Sequence, residues 1–101
     1  MICTVMGCGG KPYDIDGNKG VSYKISVICG DYPVDDSKGI IGFGEICETY
    51  KCDKRLYDSV QRGDVVNLDI DMSGLDRSGY YRVKSAMTRV DDVNNLFAPI
   101  Y

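Results

Sequence analysis

The chain contains no histidine and no tryptophan. Without histidine it lacks the commonest general base and the commonest neutral metal ligand. A nucleophile–base pair would have to join cysteine to Asp, Glu or Lys, and no motif supports one, so an enzyme is not expected. Phenylalanine is scarce, with two residues, and aromatic character rests on eight tyrosines. No apolar run approaches the roughly 18 residues of a membrane-spanning helix. The opening M-I-C-T-V-M is too short for a signal-peptide core and has no basic lead-in. The expectation is a cytoplasmic chain without a membrane partner. Lys and Arg number 12 against 15 Asp and Glu, a formal net charge of −3. A polyanion would therefore have to be drawn by a local patch, not by the field of the whole molecule.

What is present is strand pattern. At 101 residues the chain is long enough for one core and short of the size at which chains divide. Lys19 to Gly30 alternates Val21, Tyr23, Ile25, Val27 and Cys29 on one side with Ser22, Lys24 and Ser26 on the other, the period of a half-buried strand. A first strand precedes it over residues 1–6, joined by a glycine-rich loop over 7–18 whose Asp16-Gly17-Asn18 is a turn signal. A third strand is expected over 40–50, with Gly42 and Gly44 marking a bulge or bend. Asp53 to Arg62 reads as the one helix, with Asp53 at the N-cap and Gly63 at C′. A fourth strand follows Gly63-Asp64, with Val66, Leu68, Ile70 and Met72 inward. A fifth runs from Tyr80 to Val90, with Tyr81, Val83 and Met87 on one face.

Three strands, a helix and two strands give a mainly β chain in the order of the five-stranded OB-fold barrel, with one short helix between strands 3 and 4. An open antiparallel sheet carrying an isolated helix is the alternative. Residues 1–90 form the expected domain and 91–101 a C-terminal tail or docking segment. Strands 2 and 3 and loops 1–2 and 4–5 make the ligand face of such a barrel. On it the sequence would gather Tyr13, Lys19, Tyr23, Lys24, Phe43, Tyr50, Arg77, Tyr80 and Arg82. Rings that stack on bases, interleaved with cations that neutralise phosphates, are what a single-strand binder needs. Against this, Tyr81 and Tyr23 share faces with apolar residues and suit the core. Arg82 and Lys84 could instead pair with Asp69 and Asp71 across a hairpin.

Five cysteines (3, 8, 29, 47 and 52) are an odd number and read as reduced thiols. Cys3 and Cys8, and Cys47 and Cys52, are spaced C-x4-C, wider than a zinc knuckle. Free cysteines are therefore the expectation, with zinc as the alternative and no cofactor. Gly7, Gly9 and Gly10 lack the following helix and the G-K-[ST] of a phosphate loop.

Lys19-Gly20-Val21-Ser22-Tyr23-Lys24-Ile25, Asp31-Tyr32-Pro33, Leu56-Tyr57 before Val60 and Gly63-Asp64, and Tyr80-Tyr81-Arg82-Val83 span residues 19–90. Together they resemble the gene V-like (helix-destabilising) single-stranded DNA-binding proteins of filamentous phages and their plasmid and phage relatives. The resemblance implies a dimeric OB barrel that coats single-stranded DNA cooperatively and without sequence preference. It implies roles in that contact for Lys19, Tyr23, Lys24, Tyr80 and Arg82. The acidic balance, the full helix before strand 4 and the extra tail depart from that pattern. The tail also resembles acidic, aromatic-ended segments that contact replication proteins, beside its reading as a docked segment or dimer contact. RNA is the alternative polymer, distinguished by 2′-hydroxyl contacts. A small β-barrel interaction module of a phage accessory or assembly protein is the alternative without nucleic acid.

Overall fold

A two-residue turn sets the first hairpin. Asp16 and Gly17 both take positive φ, 52° and 83°, the type I′ geometry whose twist suits the flanking strands. From it β1 (Ile2–Ile15) and β2 (Asn18–Asp31) run antiparallel, starting at the pair Ile15↔Asn18. The computed structural model describes residues 1–92 and 95–101, with the side chains of 1–89 and 99–101.

Residues 7–15, expected as loop, are thus strand. Pro12 faces Val21 in the ladder. Counting from the turn, Pro12 occupies a position whose N–H would point away from β2, so the pairing loses no donor. The glycines do not break the strand either, because each has a partner in the ladder: Gly7 faces Ser26 and Gly9 faces Lys24, while Gly10 and Gly20 sit opposite the rings of Tyr23 and Tyr13.

β3 (Glu45–Cys52) pairs antiparallel with β2 from Asp31↔Glu45 to Tyr23↔Cys52. It begins later than expected, because Ile40 bridges back to Asp35 around a 3₁₀ turn at Asp36–Lys38. This leaves Ile41 and Phe43 in the connecting loop, 83% and 93% exposed. The helix α1 (Lys54–Ser59) starts where the sequence placed it. The Asp53 carboxylate accepts the Leu56 N–H at 3.0 Å, satisfying one of the orphan donors of the first turn. It ends at Ser59, short of Arg62. Gly63 turns the chain into β4 (Val65–Asp71) and donates its N–H to Val5 O at 2.8 Å.

β5 (Arg82–Asp92) pairs antiparallel with β4, and β6 (Asn95–Pro99) pairs with β5. The strand order is β3-β2-β1-β4-β5-β6, and a parallel contact of Lys51 with Arg82 joins β3 to β5. Strands β1 to β5 therefore close on themselves as the expected OB barrel, with the one short helix between β3 and β4. The last eleven residues, expected as a tail or docking segment, supply β6 and then Ile100, which is buried in the core. Val93 and Asn94 of that segment lie outside the described residues.

The core takes matched pairs from successive strands: Cys3 and Val5, Ile25 and Val27, Val66 and Leu68, Val83 and Ala86. Leu56, the one buried residue of α1, joins them. The expected inward residue Met87 is exposed. The register steps from Ile70↔Val83 to Asp69↔Ser85, so Lys84 is a bulge residue that reverses the alternation and turns Ala86 inward. Met72 lies past the last β4 pairing and Val21 beyond the reach of β3, and both are exposed. That second departure reflects an arm. Among the described residues, the hairpin between residues 9 and 22 pairs with no strand except its own other half. The molecule measures 56 × 37 × 24 Å with a radius of gyration of 15.9 Å, against about 13 Å for a compact chain of this size.

Candidate functional site

The ladder fixes which side chains share the outer face of β1, β2 and β3. Directly paired residues lie on the same side of a sheet, so the pairs place Gly7 with Ser26 and Thr49, and Gly9 with Lys24 and Lys51. Further out along the arm come Lys11 with Ser22, and then Tyr13 with Gly20. A hydrogen bond of 3.1 Å between Ser26 Oγ and Thr49 Oγ1 ties the floor of this face together. The loop from Met72 to Tyr81, between β4 and β5, folds over one side. The result is a groove with a cavity of about 580 Å³, floored by β1 and β2 and edged by Ser78. A second cavity of about 580 Å³ shares Tyr13, Ser22 and Ser78 with the first. It continues past the edge of β2 to Tyr23, Lys54, Arg77 and Arg82.

Asp71 accepts the Ser73 N–H at 3.0 Å where the loop begins, and Asp76 holds its far end. Asp76 Oδ1 accepts the N–H of Tyr80 at 2.9 Å and of Ser78 at 2.9 Å, and its Oδ2 lies 3.3 Å from Lys51 Nζ. The Tyr80 amide, with help from the Lys51 ammonium and the Ser78 amide, keeps the Asp76 carboxyl below the usual carboxylate range. Fixed in this way, Tyr80 receives the Lys24 ammonium over its ring, 4.4 Å from the centroid, a cation–π contact. Tyr80 comes from the loop and Lys24 from the middle of β2, so this contact joins the floor of the groove to the loop at its edge.

Of the residues expected on this face, Tyr13, Lys24 and Tyr80 meet at the groove, and Arg77, Arg82 and Tyr23 border its continuation. Tyr13 lies across Gly20 so closely that a Cβ there would collide with the ring. Tyr23 faces the core side of β2, packing its ring 5.2 Å from that of Tyr57. Arg82 stands opposite Asp71 in the ladder, and among the described residues no ion pair forms between them. Three expected residues stand elsewhere. Lys19 lies at the arm tip opposite Asp14. Phe43 projects from the β2–β3 loop. Tyr50 pairs with Ile25 on the inner face, its hydroxyl directed at Met1 Sδ at 3.9 Å. Sequence reasoning missed Lys11, Lys51, Ser22, Ser26, Thr49 and Ser78. The outward positions of the β2 alternation were the signal for the two β2 serines; Lys51 required the β3 register.

The charge around the groove opposes that of the molecule. The two cavities are lined by Lys11, Lys24, Lys51, Lys54, Arg77 and Arg82, and by one acid, Asp53. Half of the 12 cations and one of the 15 acids therefore meet this trough. Lys51 and Lys54 are already engaged, with Asp76 and Asp58, which leaves Lys11, Lys24, Arg77 and Arg82 as its unpaired positive charge among the described residues.

The thiols do not gather for a metal. Cys8 and Cys52 touch, Sγ to Sγ 3.8 Å. Cys47 is exposed and lies five residues up β3 from Cys52, about 16 Å along an extended strand. Burial pushes the Cys3 thiol up to about 11, with the nearby Cys29 adding to the shift. Among the described residues no three Cys, Asp or Glu side chains converge to hold an ion, and no helix is long and apolar enough to cross a membrane. Compared with protein-family models, with curated proteins and with solved structures, the chain matches none of them.

Proposed function

We propose that the chain is a non-catalytic binder of single-stranded DNA, of the gene V-like kind that its motifs resemble, and that the strand lies in the trough between β2 and the β4–β5 loop. The observation that carries this reading is the reversal of charge: a chain with a net charge of −3 lines one continuous trough with six cations and one acid. Tyr13 and Tyr80 supply rings beside those cations, and the floor offers the serine and threonine hydroxyls as neutral donors. Base stacking on exposed rings with phosphate neutralisation by Lys and Arg gives binding that tolerates any sequence. Phage or plasmid replication, a homodimer and a contact with a replication protein belong to the same reading.

The test is a titration with oligo(dT) followed by intrinsic emission, which here comes from tyrosine alone. Quenching that weakens as salt rises supports the reading. Unchanged emission at micromolar protein and low salt, with no electrophoretic shift, sinks it. The charge argument gives a sharper form of the same experiment. Asp76→Asn keeps an oxygen for the Tyr80 and Ser78 amides but releases Lys51 from its ion pair. The variant should bind more tightly, and its plot of log affinity against log salt should steepen by about 0.7, the contribution of one further phosphate contact on a single strand. An unaltered slope would place Lys51 outside the path of the polymer.

A second reading has its own observation. The loop between β2 and β3 exposes Tyr32, Val34, Ile41 and Phe43 together, a concentration of apolar side chains of the kind that marks protein contacts. Under the interaction-module reading, Phe43→Ser would abolish association with a protein while oligo(dT) leaves emission untouched.

A further inference from the structure

The run Gly7-Cys8-Gly9-Gly10 lines the groove, but the reading above gives no role to the thiol inside it. Cys8 points inward beside Ile25, and Cys52 pairs with Tyr23, so the two cysteines reach towards each other from the strands on either side of β2. Their sulfurs are 3.8 Å apart, in contact and unlinked. Cys8 is half-buried, and the residue borders both the groove and a recess that it shares with Tyr57 and Val60. Cys52 is buried and directly follows Lys51, whose side chain anchors Asp76.

We propose that Cys8 and Cys52 are a modification site for low-molecular-weight disulfides: they close into a reversible disulfide that reshapes the groove. The groove half of this rests on the DNA-binding reading above; the bond itself does not. The chemistry is thiol–disulfide exchange. The Cys8 thiolate attacks one sulfur of the small disulfide and expels the other as a thiolate, giving a mixed disulfide. The Cys52 thiolate then attacks the Cys8 sulfur, and the second small thiolate leaves. Two protein thiols lose two protons and two electrons in all, and the small disulfide, having taken up both, ends as two thiols.

Geometry gives the bond its character. A disulfide needs its sulfurs at about 2.05 Å and its Cα atoms within about 7 Å. Strands that flank a third one on a flat sheet are separated by about two spacings of 4.8 Å. Barrel curvature brings these inward side chains together, and closure must bend β1 and β3 further over β2. The chain is built to bend there. Met6 is a bulge residue, since the register steps from Val5↔Val27 to Gly7↔Ser26, and glycines flank Cys8 on both sides. The residues that move with such a bend, Gly7, Gly9 and Lys51, are those of the groove floor and its loop anchor. A link formed under strain is also readily reduced. Burial, the largest influence on each, holds both thiols above the ordinary cysteine range, so the attacking thiolate is scarce at neutrality and closure should quicken as pH rises.

The experiment treats the reduced chain with glutathione disulfide and maps the products by mass spectrometry. The expected product has lost the mass of two hydrogens, contains one cross-linked peptide joining Cys8 to Cys52, and reverts with dithiothreitol. Accumulation of a stable glutathione adduct on Cys8 of the wild-type chain, or a link between another pair, overturns the proposal. Cys52→Ala should stop at that adduct. Gly7→Ala and Gly9→Ala guard against misfolding as an explanation, because no atom lies within 4 Å of a Cβ at either site. Both should fold and close several-fold more slowly, and closure at the wild-type rate removes the bending step from the argument. Oligo(dT) affinity is then compared between the reduced and oxidised forms. The expected loss on oxidation is about fivefold to 150-fold, the usual range of coupling between two sites. Equal affinity of the two forms overturns the groove half, whereas no binding by either form, with the mapped bond intact, counts against the DNA reading.

Discussion

Tyr80→Ala should weaken binding to oligo(dT) by about 1–3 kcal/mol, the worth of one stacked base, which is about fivefold to 150-fold in affinity. The ring stands where the loop meets the groove floor, with the Tyr80 backbone N–H fixed by Asp76 and the Lys24 ammonium 4.4 Å from the ring centroid. Removing it deletes the stacking surface and also frees Lys24 from its cation–π partner. The backbone hydrogen bond from residue 80 to Asp76 survives the substitution, so the loop keeps its anchor and the barrel its stability. Lys24→Ala should lose affinity too, and with a shallower salt dependence, because it removes a phosphate partner and not a stacking surface. A Tyr80→Ala chain that binds as the wild type would move the polymer off this face. A marked fall in its melting temperature would make Tyr80 a packing residue of the loop.

Leu56→Ala should cost about 2–5 kcal/mol of folding stability, a large share of the roughly 5–15 kcal/mol typical of a domain. Leu56 is fully buried and is the one residue of α1 inside the barrel. A six-residue helix is too short to hold itself together in water. What holds α1 is the Asp53 cap at one end and the burial of Leu56 along its length. Truncation removes the apolar contact and leaves a void among β-strands that are closed on each other and have little freedom to collapse into it. Urea denaturation checks the size of the effect. A loss below about 1 kcal/mol would mean that α1 is an ornament of the connection and not a plug of the core.

The barrel was legible because its strands carry their period where it matters. Ile25 and Val27, Val66 and Leu68, and Cys3 and Val5 alternate cleanly, and each pair is buried. Asp53 announced its helix by a mechanism that operates within a single turn. The sequence misled where a residue's meaning depended on what lay opposite it. The glycines and the proline of residues 7–12 have turn composition, yet partners on β2 make them strand. The Lys84 bulge, invisible in the period of β5, exchanged Met87 for Ala86 in the core. The site was half legible for the same reason. Lys24 and Tyr80 lie 56 residues apart in the chain, and only the closure of the sheet brings them together. Tyr50 looked like a surface ring until its register with Ile25 turned it inward.

The free arm has a hydrodynamic consequence. A body 56 Å long and 24 Å thin meets more solvent friction than a sphere of equal mass. The monomer should therefore leave a sizing column early and sediment slowly, in the direction that a small dimer would mimic. Trimming the hairpin to a short turn should bring the elution volume back towards that of a compact chain of its mass, whereas a true dimer would keep its mass by light scattering. The arm thus sets how assembly must be measured: by mass, not by shape.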